Sequence, residues 1–336
     1  MTMRVALDTS PLRLTRAGTA RYLRTLLEEL EGRDDIDIAP VSWGGGGRIT
    51  AGVRDAAWYP LALPLTARRG GFDLLHCPSY RGPFRSPTPL VVTVHDLALL
   101  RHPELFNRWS RGYGRLAVRR VIRAARLVIA VSDFTRCELL ELLDVEAGKI
   151  RVVPNGISAM FSPDGPAADG DYVLAVGTLE PRKNLRRLIE ATRGLDAELR
   201  IVGRRGWGGV EVAEPHVRWL GEVSDEELPA LYRGARCLAY PSLYEGFGYP
   251  VVEGMACGTP VATSRGGAAE EIAGGAAVLV DPLDPQSIRV GIEEAAARRE
   301  ELVPKGLARA QEFTAARFAA GTLAVYREAL GNPDVT

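Results

Sequence analysis

The chain has 336 residues, enough for two domains that each bury a core. Its 42 basic side chains balance 42 acidic ones, which argues against nucleic acid as the main partner. An apolar fraction of 46% suits a globular protein in water; no apolar run reaches the ~18 residues that span a bilayer, and four scattered cysteines show no zinc-site spacing.

In the first half, strands are expected at Arg4–Asp8, Ile36–Trp43, Leu74–Cys77, Leu90–Val94, Leu127–Val131 and Arg151–Val153. No apolar secretion signal precedes the first of them, so the expected location is the cytoplasm. Ala17-Gly18-Thr19 lies between the first strand and a helix whose Tyr22, Leu23, Leu26, Leu27 and Leu30 share one face. Gly18 there lets backbone approach a phosphate at a helix start, and it also suits a plain turn. Gly44–Gly47 lacks a following Lys-Ser/Thr and reads as a surface loop. His95 closes the apolar strand Leu90–Val94, at the edge where parallel sheets meet ligands; a hydrogen-bonded structural histidine is the alternative. His76 also stands near a strand end. Arg101–Arg126 holds eight arginines and one acid, Glu104, with Trp109, Tyr113, Leu116 and Val118 among them. That composition suits either peripheral contact with anionic lipid or a solvated helix whose arginines pair within the domain.

Phe161–Gly170 is rich in Pro, Gly and Asp and reads as an interdomain linker, dividing the chain into 1–164, 165–316 and a last helical segment, 317–336. Strands follow at Tyr172–Val176, Leu199–Val202, Val217–Leu220, Cys237–Tyr240, Pro260–Thr263 and Ala277–Val280. Strands alternating with helical patterns predict an α/β protein with doubly wound parallel sheets. Pro181 suits the first turn of a helix, and Arg182 and Lys183 beside it would suit a diphosphate, or simply water. Farther on, Tyr244-Glu245-Gly246-Phe247-Gly248-Tyr249-Pro250-Val251-Val252-Glu253 sets two carboxylates eight positions apart around a Gly-Phe-Gly turn. The turn leads into a helix, Val251–Ala256, whose first N–H groups lack internal partners. Glu245 is placed in the loop and Glu253 about two turns along. Both could also be caps or solvated acids. Asp35-Ile36-Asp37 and Asp169-Gly170-Asp171 lie away from strand carboxyl ends and read as surface acids, so no metal is expected.

The Glu-x7-Glu segment, together with Val176–Leu185, Met255–Ala262, Val94-His95-Asp96, Val131–Thr135 and Pro154–Ile157, resembles the retaining glycosyltransferases of family 4 (glycosyltransferase group 1), with a mannosyltransferase-like pattern. The resemblance runs through nearly the whole chain. It implies the GT-B fold, two Rossmann-like domains facing across a cleft, with the last helix crossing back to the first. It also implies transfer of a sugar from a nucleoside-diphosphate donor, GDP-mannose first and UDP- or dTDP-sugars next, to a hydroxyl of a saccharide, a lipid-linked saccharide or a small molecule. By resemblance, His95 meets the reacting sugar and acceptor. Glu245 supports charge at the anomeric carbon and, with Gly246, Phe247 and Gly248, holds the donor sugar. Gly18, Arg182 and Lys183 hold the diphosphate. Gly177, Arg204, Val223 and Glu253 contact the nucleotide. No cofactor is implied. Two departures are Thr19 in the first loop and Glu270 beside Glu271, where the family often has proline before the glutamate. A sugar-nucleotide epimerase or a non-catalytic binding subunit are the competing readings.

Overall fold

The computed structural model describes residues 2–13, 18–44, 47–106, 111–112 and 114–331. These divide into two compact units, Met1–Gly156 with Ala315–Thr336, and Ile157–Thr314. In the first unit β1 (Met3–Asp8), β2 (Ile36–Val41), β3 (Leu74–Cys77), β4 (Leu90–Val94), β5 (Leu127–Ala130) and β6 (Ile150–Val152) form one sheet in the order β2-β1-β3-β4-β5-β6. In the second, β7 (Tyr172–Val176), β8 (Glu198–Val202), β9 (Val217–Gly221), β10 (Cys237–Tyr240), β11 (Val261–Ser264) and β12 (Val278–Val280) take the order β12-β11-β10-β7-β8-β9. Neighbouring strands pair in parallel, as with Val5 opposite Ile38 and Leu238 opposite Val261. β1, β3, β4, β5 and β10 are buried along most of their length, which is why they read as unbroken apolar runs rather than alternating ones.

Each strand order reverses direction once, between β1 and β3 in the first sheet and between β7 and β10 in the second. At such a switch the connecting helices leave on opposite faces and a crevice opens beyond the carboxyl ends. Of the candidate segments, Val176–Leu185 begins at the end of β7 and Tyr244–Glu253 follows β10, the two strands at the second switch; His95 follows β4.

Three local outcomes differ from the sequence pattern. First, β2 stops at Val41, before Trp43. Thr9 N–H takes the Val41 carbonyl at 2.8 Å, and Gly44 then turns the chain at φ +74°. Second, Arg48–Arg69 is helical throughout, an element the sequence reading lacks. Pro60 sits inside it and removes one donor; the stretch Arg54–Ala62 widens to a π-helix, with Leu63 N–H reaching the Trp58 carbonyl. Third, the break between units falls after Gly156, ahead of the Pro/Gly-rich segment. Ile157 N–H donates to Phe313 O at 2.9 Å and Ala168 N–H to Ala230 O at 2.9 Å, so that segment is laid down on the second unit.

The final helix, Ala315–Ala329, belongs to the first unit. Its Phe318, Leu323 and Tyr326 complete a core with Val5, Tyr22, Leu26, Val91 and Ile129. Gly321 lets it approach closely, because a Cβ there would lie 3.0 Å from Val153 Cγ1.

Candidate functional site

Beyond β7 the chain passes the second switch point on glycine. A Cβ on Gly177 would lie 3.1 Å from both Cδ and Cε of Lys183, and one on Gly203, after β8, would lie 2.0 Å from the Gly177 carbonyl. Small residues there let two backbones and a lysine stem share one space. Leu179 is buried and anchors the next turn.

Arg182 and Lys183 do not open a helix. They occupy a separate 3-10 turn, Pro181–Lys183, and the helix Leu185–Thr192 begins only after Asn184. Asn184 takes the left-handed conformation at φ +58°, the one described non-glycine residue with positive φ. Its amide nitrogen donates to Pro241 O at 3.0 Å and Pro282 O at 2.6 Å. That tether swings both cations toward the end of β10.

There they meet Glu245. Arg182 donates to Glu245 Oε2 at 2.7 Å, to Tyr244 O at 2.8 Å and to Glu180 Oε1 at 2.7 Å. Lys183 Nζ donates to Glu245 Oε1 at 2.6 Å and to the Tyr240 hydroxyl at 2.7 Å. Burial pushes the Glu245 carboxyl up, but the charges of Arg182 and Lys183 outweigh it and hold the carboxyl at about 2. Burial lowers the Lys183 ammonium from its ordinary value, against the pull of Glu245. The result is a dry, preorganised charge cluster. Of the three Lys183 donors, two are taken by Tyr240 and Glu245 among the described residues.

Past Glu245, Gly248 sits at φ +103°, which favours glycine, and caps the helix Tyr249–Ala256. Phe247 is buried edge-on against Tyr249 and Phe313, so the Gly246–Gly248 backbone is held in place by its ring. Glu253 lies in that helix with no exposed surface and accepts from the Tyr232 hydroxyl at 2.8 Å. Arg204 follows β8 and is exposed, its carbonyl accepting from Leu179 N–H at 3.0 Å; Val223 follows β9. Gly177, Arg182, Lys183, Arg204, Val223 and Glu245 thus share the carboxyl edge of one sheet. Glu180 and Tyr240 were passed over at the sequence level. Glu180 was visible within the Val176–Leu185 segment, and Tyr240 as the last residue of an apolar strand.

On the first unit, Gly18 opens the helix Gly18–Leu30; Ala17, before it, lies outside the described residues. His95 follows β4, half-buried, with its ring edge-on to Tyr22 at 4.9 Å between centroids. Its Nε2 lies 3.0 Å from the Pro78 carbonyl and so donates to it, leaving Nδ1 as the acceptor nitrogen. Burial lowers its pKa to about 4, against Asp96 and the Pro78 hydrogen bond, so the ring is neutral. His76 is a structural histidine. It is fully buried between Tyr326 OH at 2.7 Å and Thr93 Oγ1 at 2.9 Å, and burial lowers its pKa to about 3. Asp8, at the end of β1, was also passed over. It is wholly buried, and burial raises its carboxyl to about 6 although Ser10 hydrogen-bonds to it.

Within Arg101–Arg126, Arg101 pairs with Glu138 and Glu141, and Arg123 with Asp144. Trp109 and Tyr113 lie outside the described residues. No helix among the described residues is long and apolar enough to cross a membrane. Asp35 pairs with Arg33 and Arg327, and Asp171 with Arg236.

Comparison with known proteins identifies relatives along the whole chain. The family model described as glycosyl transferases group 1 matches residues 159–303, and that of glycosyltransferase family 4 matches residues 16–160. The chain is 30% identical to O-antigen chain mannosyltransferase B of Escherichia coli, over 97% of this chain and 100% of that one. It is 31% identical to the MMP alpha-(1->4)-mannosyltransferase of Mycolicibacterium hassiacum, over 90% and 80%. Among solved structures, Anabaena HepE in complex with UDP-glucose superposes with a TM-score of 0.75 at 21% identity, over 96% of this chain and 99% of that one. Sucrose-phosphate synthase from Thermosynechococcus elongatus gives 0.76 at 18% identity, over 98% and 99%.

Proposed function

This chain belongs to the group 1, family 4 glycosyltransferases, and from that premise we propose that it is a retaining mannosyltransferase acting without a metal. The donor is GDP-mannose and the acceptor is a saccharide hydroxyl, as in the building of a polysaccharide chain. The relatives named mannosyltransferases support the sugar, and the O-antigen enzyme among them supports the acceptor class.

The observation that carries the reading is the Arg182–Glu245–Lys183 cluster at the second switch point. Leaving a nucleoside diphosphate from a sugar places negative charge on phosphate oxygens. Two fixed cations in a dry site stabilise that charge and take the place a divalent ion has in other enzymes. Gly18 is assigned to the diphosphate by resemblance to the family alone. Glu245, held ionised at about 2, faces the positive charge that grows at the anomeric carbon. The backbone of Gly246, Phe247 and Gly248 orients the sugar. Gly177, Arg204 and Val223 line the edge assigned to the nucleotide. Glu253, oriented by Tyr232, is assigned to the ribose by resemblance to the family alone. His95 contacts the reacting sugar and acceptor. The leaving phosphate takes the acceptor proton, so no enzymic nucleophile is needed.

The test is transfer from GDP-mannose to manno-oligosaccharides, with and without EDTA, and with the anomeric configuration of the product read by NMR. Glu245→Gln is expected to lower kcat at least a hundredfold, about 3 kcal/mol of transition-state stabilisation, and to leave GDP binding within a few-fold. Full activity in that variant, or a product of inverted configuration, overturns the mechanism. Transfer from a UDP-sugar with none from GDP-mannose overturns the choice of donor.

A further inference from the structure

Trp43 stands two residues beyond β2 with 38% of its surface exposed. Its ring is not loose. It stacks on Trp58, with planes 19° apart and centroids 6.4 Å apart, and Trp58 is itself only 9% exposed, on the π-helical turn. The Trp43 backbone N–H donates to Ser10 Oγ at 3.3 Å, and the Ser10 backbone N–H donates to Asp8 Oδ1 at 3.0 Å, which ties the Trp43 backbone to the end of β1. A large indole thus stands against Trp58 on a tethered backbone, partly open at the carboxyl edge of the first sheet.

The same edge carries Arg81 after β3 and His95 after β4. Arg81 is partly exposed, and its guanidinium is steadied by the buried Asp55 at 3.4 Å. In the order β2-β1-β3-β4, three strand spacings separate Trp43 from His95, about 14 Å. An aromatic platform followed by hydrogen-bonding side chains is the chemistry that recognises a chain of sugars. The C–H face of a pyranose covers an indole, and its hydroxyl edge meets polar groups. A single sugar ring that meets His95 cannot reach Trp43.

We propose that this edge is an extended acceptor subsite, with Trp43 stacking a sugar remote from the reacting hydroxyl, so that the acceptor is an oligosaccharide rather than a monosaccharide or a small metabolite. The proposal deepens the reading of the protein as a glycosyltransferase and rests on it for the identity of His95 as the reacting end.

The experiment compares the wild type with Trp43→Ala and Trp43→Phe, using mannose and manno-oligosaccharides of two to five units as acceptors. In the wild type, kcat/KM should climb with acceptor length and level off once the chain reaches Trp43. Trp43→Ala should remove about tenfold of that gain for the longer acceptors through KM, with kcat, the donor KM and the rate with mannose unchanged. Trp43→Phe should restore part of it. A second measurement needs no turnover: mannopentaose should quench tryptophan fluorescence in the wild type and not in Trp43→Ala. Equal length dependence in wild type and Trp43→Ala, or an equal loss on every acceptor including mannose, overturns the platform while leaving the transferase reading intact. Mannopentaose quenching without transfer from any donor supports the platform and overturns the transferase reading. Absence of quenching overturns the platform.

Discussion

Asn184 shows how one side chain can aim two others. A left-handed backbone costs a non-glycine residue about 1 kcal/mol, more for most side chains, and asparagine tolerates it best. Here the amide recovers that cost by satisfying the Pro241 and Pro282 carbonyls inside the second unit, and its oxygen accepts from Arg187 at 3.0 Å. Asn184→Ala keeps neither the conformational tolerance nor the hydrogen bonds. It should lower stability by about 2–3 kcal/mol and weaken nucleotide binding, because the turn that carries Arg182 and Lys183 would no longer be tied to the Pro241 and Pro282 carbonyls. Asn184→Gly restores the conformation alone and should lose less. Urea denaturation and a nucleotide titration of both variants read this out. Equal stability of alanine and wild type would show that the tether is idle.

The elements of the first unit are joined by a buried polar chain that makes their packing sensitive to pH. Tyr326 on the last helix, His76 on β3, Thr93 on β4 and Tyr22 on the helix Gly18–Leu30 hydrogen-bond in that order. The native His76 pKa, about 3, is below that of an unfolded histidine. The unfolded chain therefore takes up the proton first. The stability His76 contributes is complete above about pH 6.5 and is lost as pH falls toward 3. His95, at about 4, adds to the same loss. Asp8 acts in the opposite sense. Its native pKa, about 6, lies above that of an unfolded aspartate, so its contribution is complete below about pH 4 and is lost as pH rises through 6. Asp8→Asn should therefore gain stability relative to wild type at pH 7.5 compared with pH 4.5, by about 2–3 kcal/mol from the shift. Urea midpoints at the two pH values measure it, and the same change at both would contradict a buried, high-pKa carboxyl.

For the molecule as a whole, the chain order of the two units differs in kind. The second unit, Ile157–Thr314, is continuous, with its own sheet and a core built on Val173, Leu188, Ile201 and Ala239. The first is discontinuous and borrows Phe318, Leu323 and Tyr326 from the far end of the chain. The fragment 157–314 should fold by itself and bind GDP. Truncation after Thr314 should strip several kcal/mol of apolar burial from the first unit, since each such side chain is worth about 1.5–3 kcal/mol, and lower its melting temperature while the GDP-stabilised transition persists. Calorimetry with and without GDP resolves the two. An unfolded 157–314 fragment would mean that the second unit depends on the first.

Twelve strands were legible because buried parallel strands are short apolar runs between polar turns, and nothing tertiary is needed to see them. The candidate site residues were picked out by the family resemblance: Gly177, Arg182 and Lys183 stand just past β7, and Glu245 and Gly248 just past β10. The turn after β7 was not legible, because its shape depends on Asn184 reaching carbonyls 57 and 98 residues away. Nor was the helix Arg48–Arg69, whose Pro60 reads as a breaker until the widened turn around it is seen. Periodicity and composition are local properties of the chain, and they determined the fold class; the motif resemblance pointed to the segments that form the charged cluster. Which carboxylate is ionised, which histidine is sealed in the core, and which tryptophan is left facing water depend on burial by residues distant in sequence, and only the folded chain decides them.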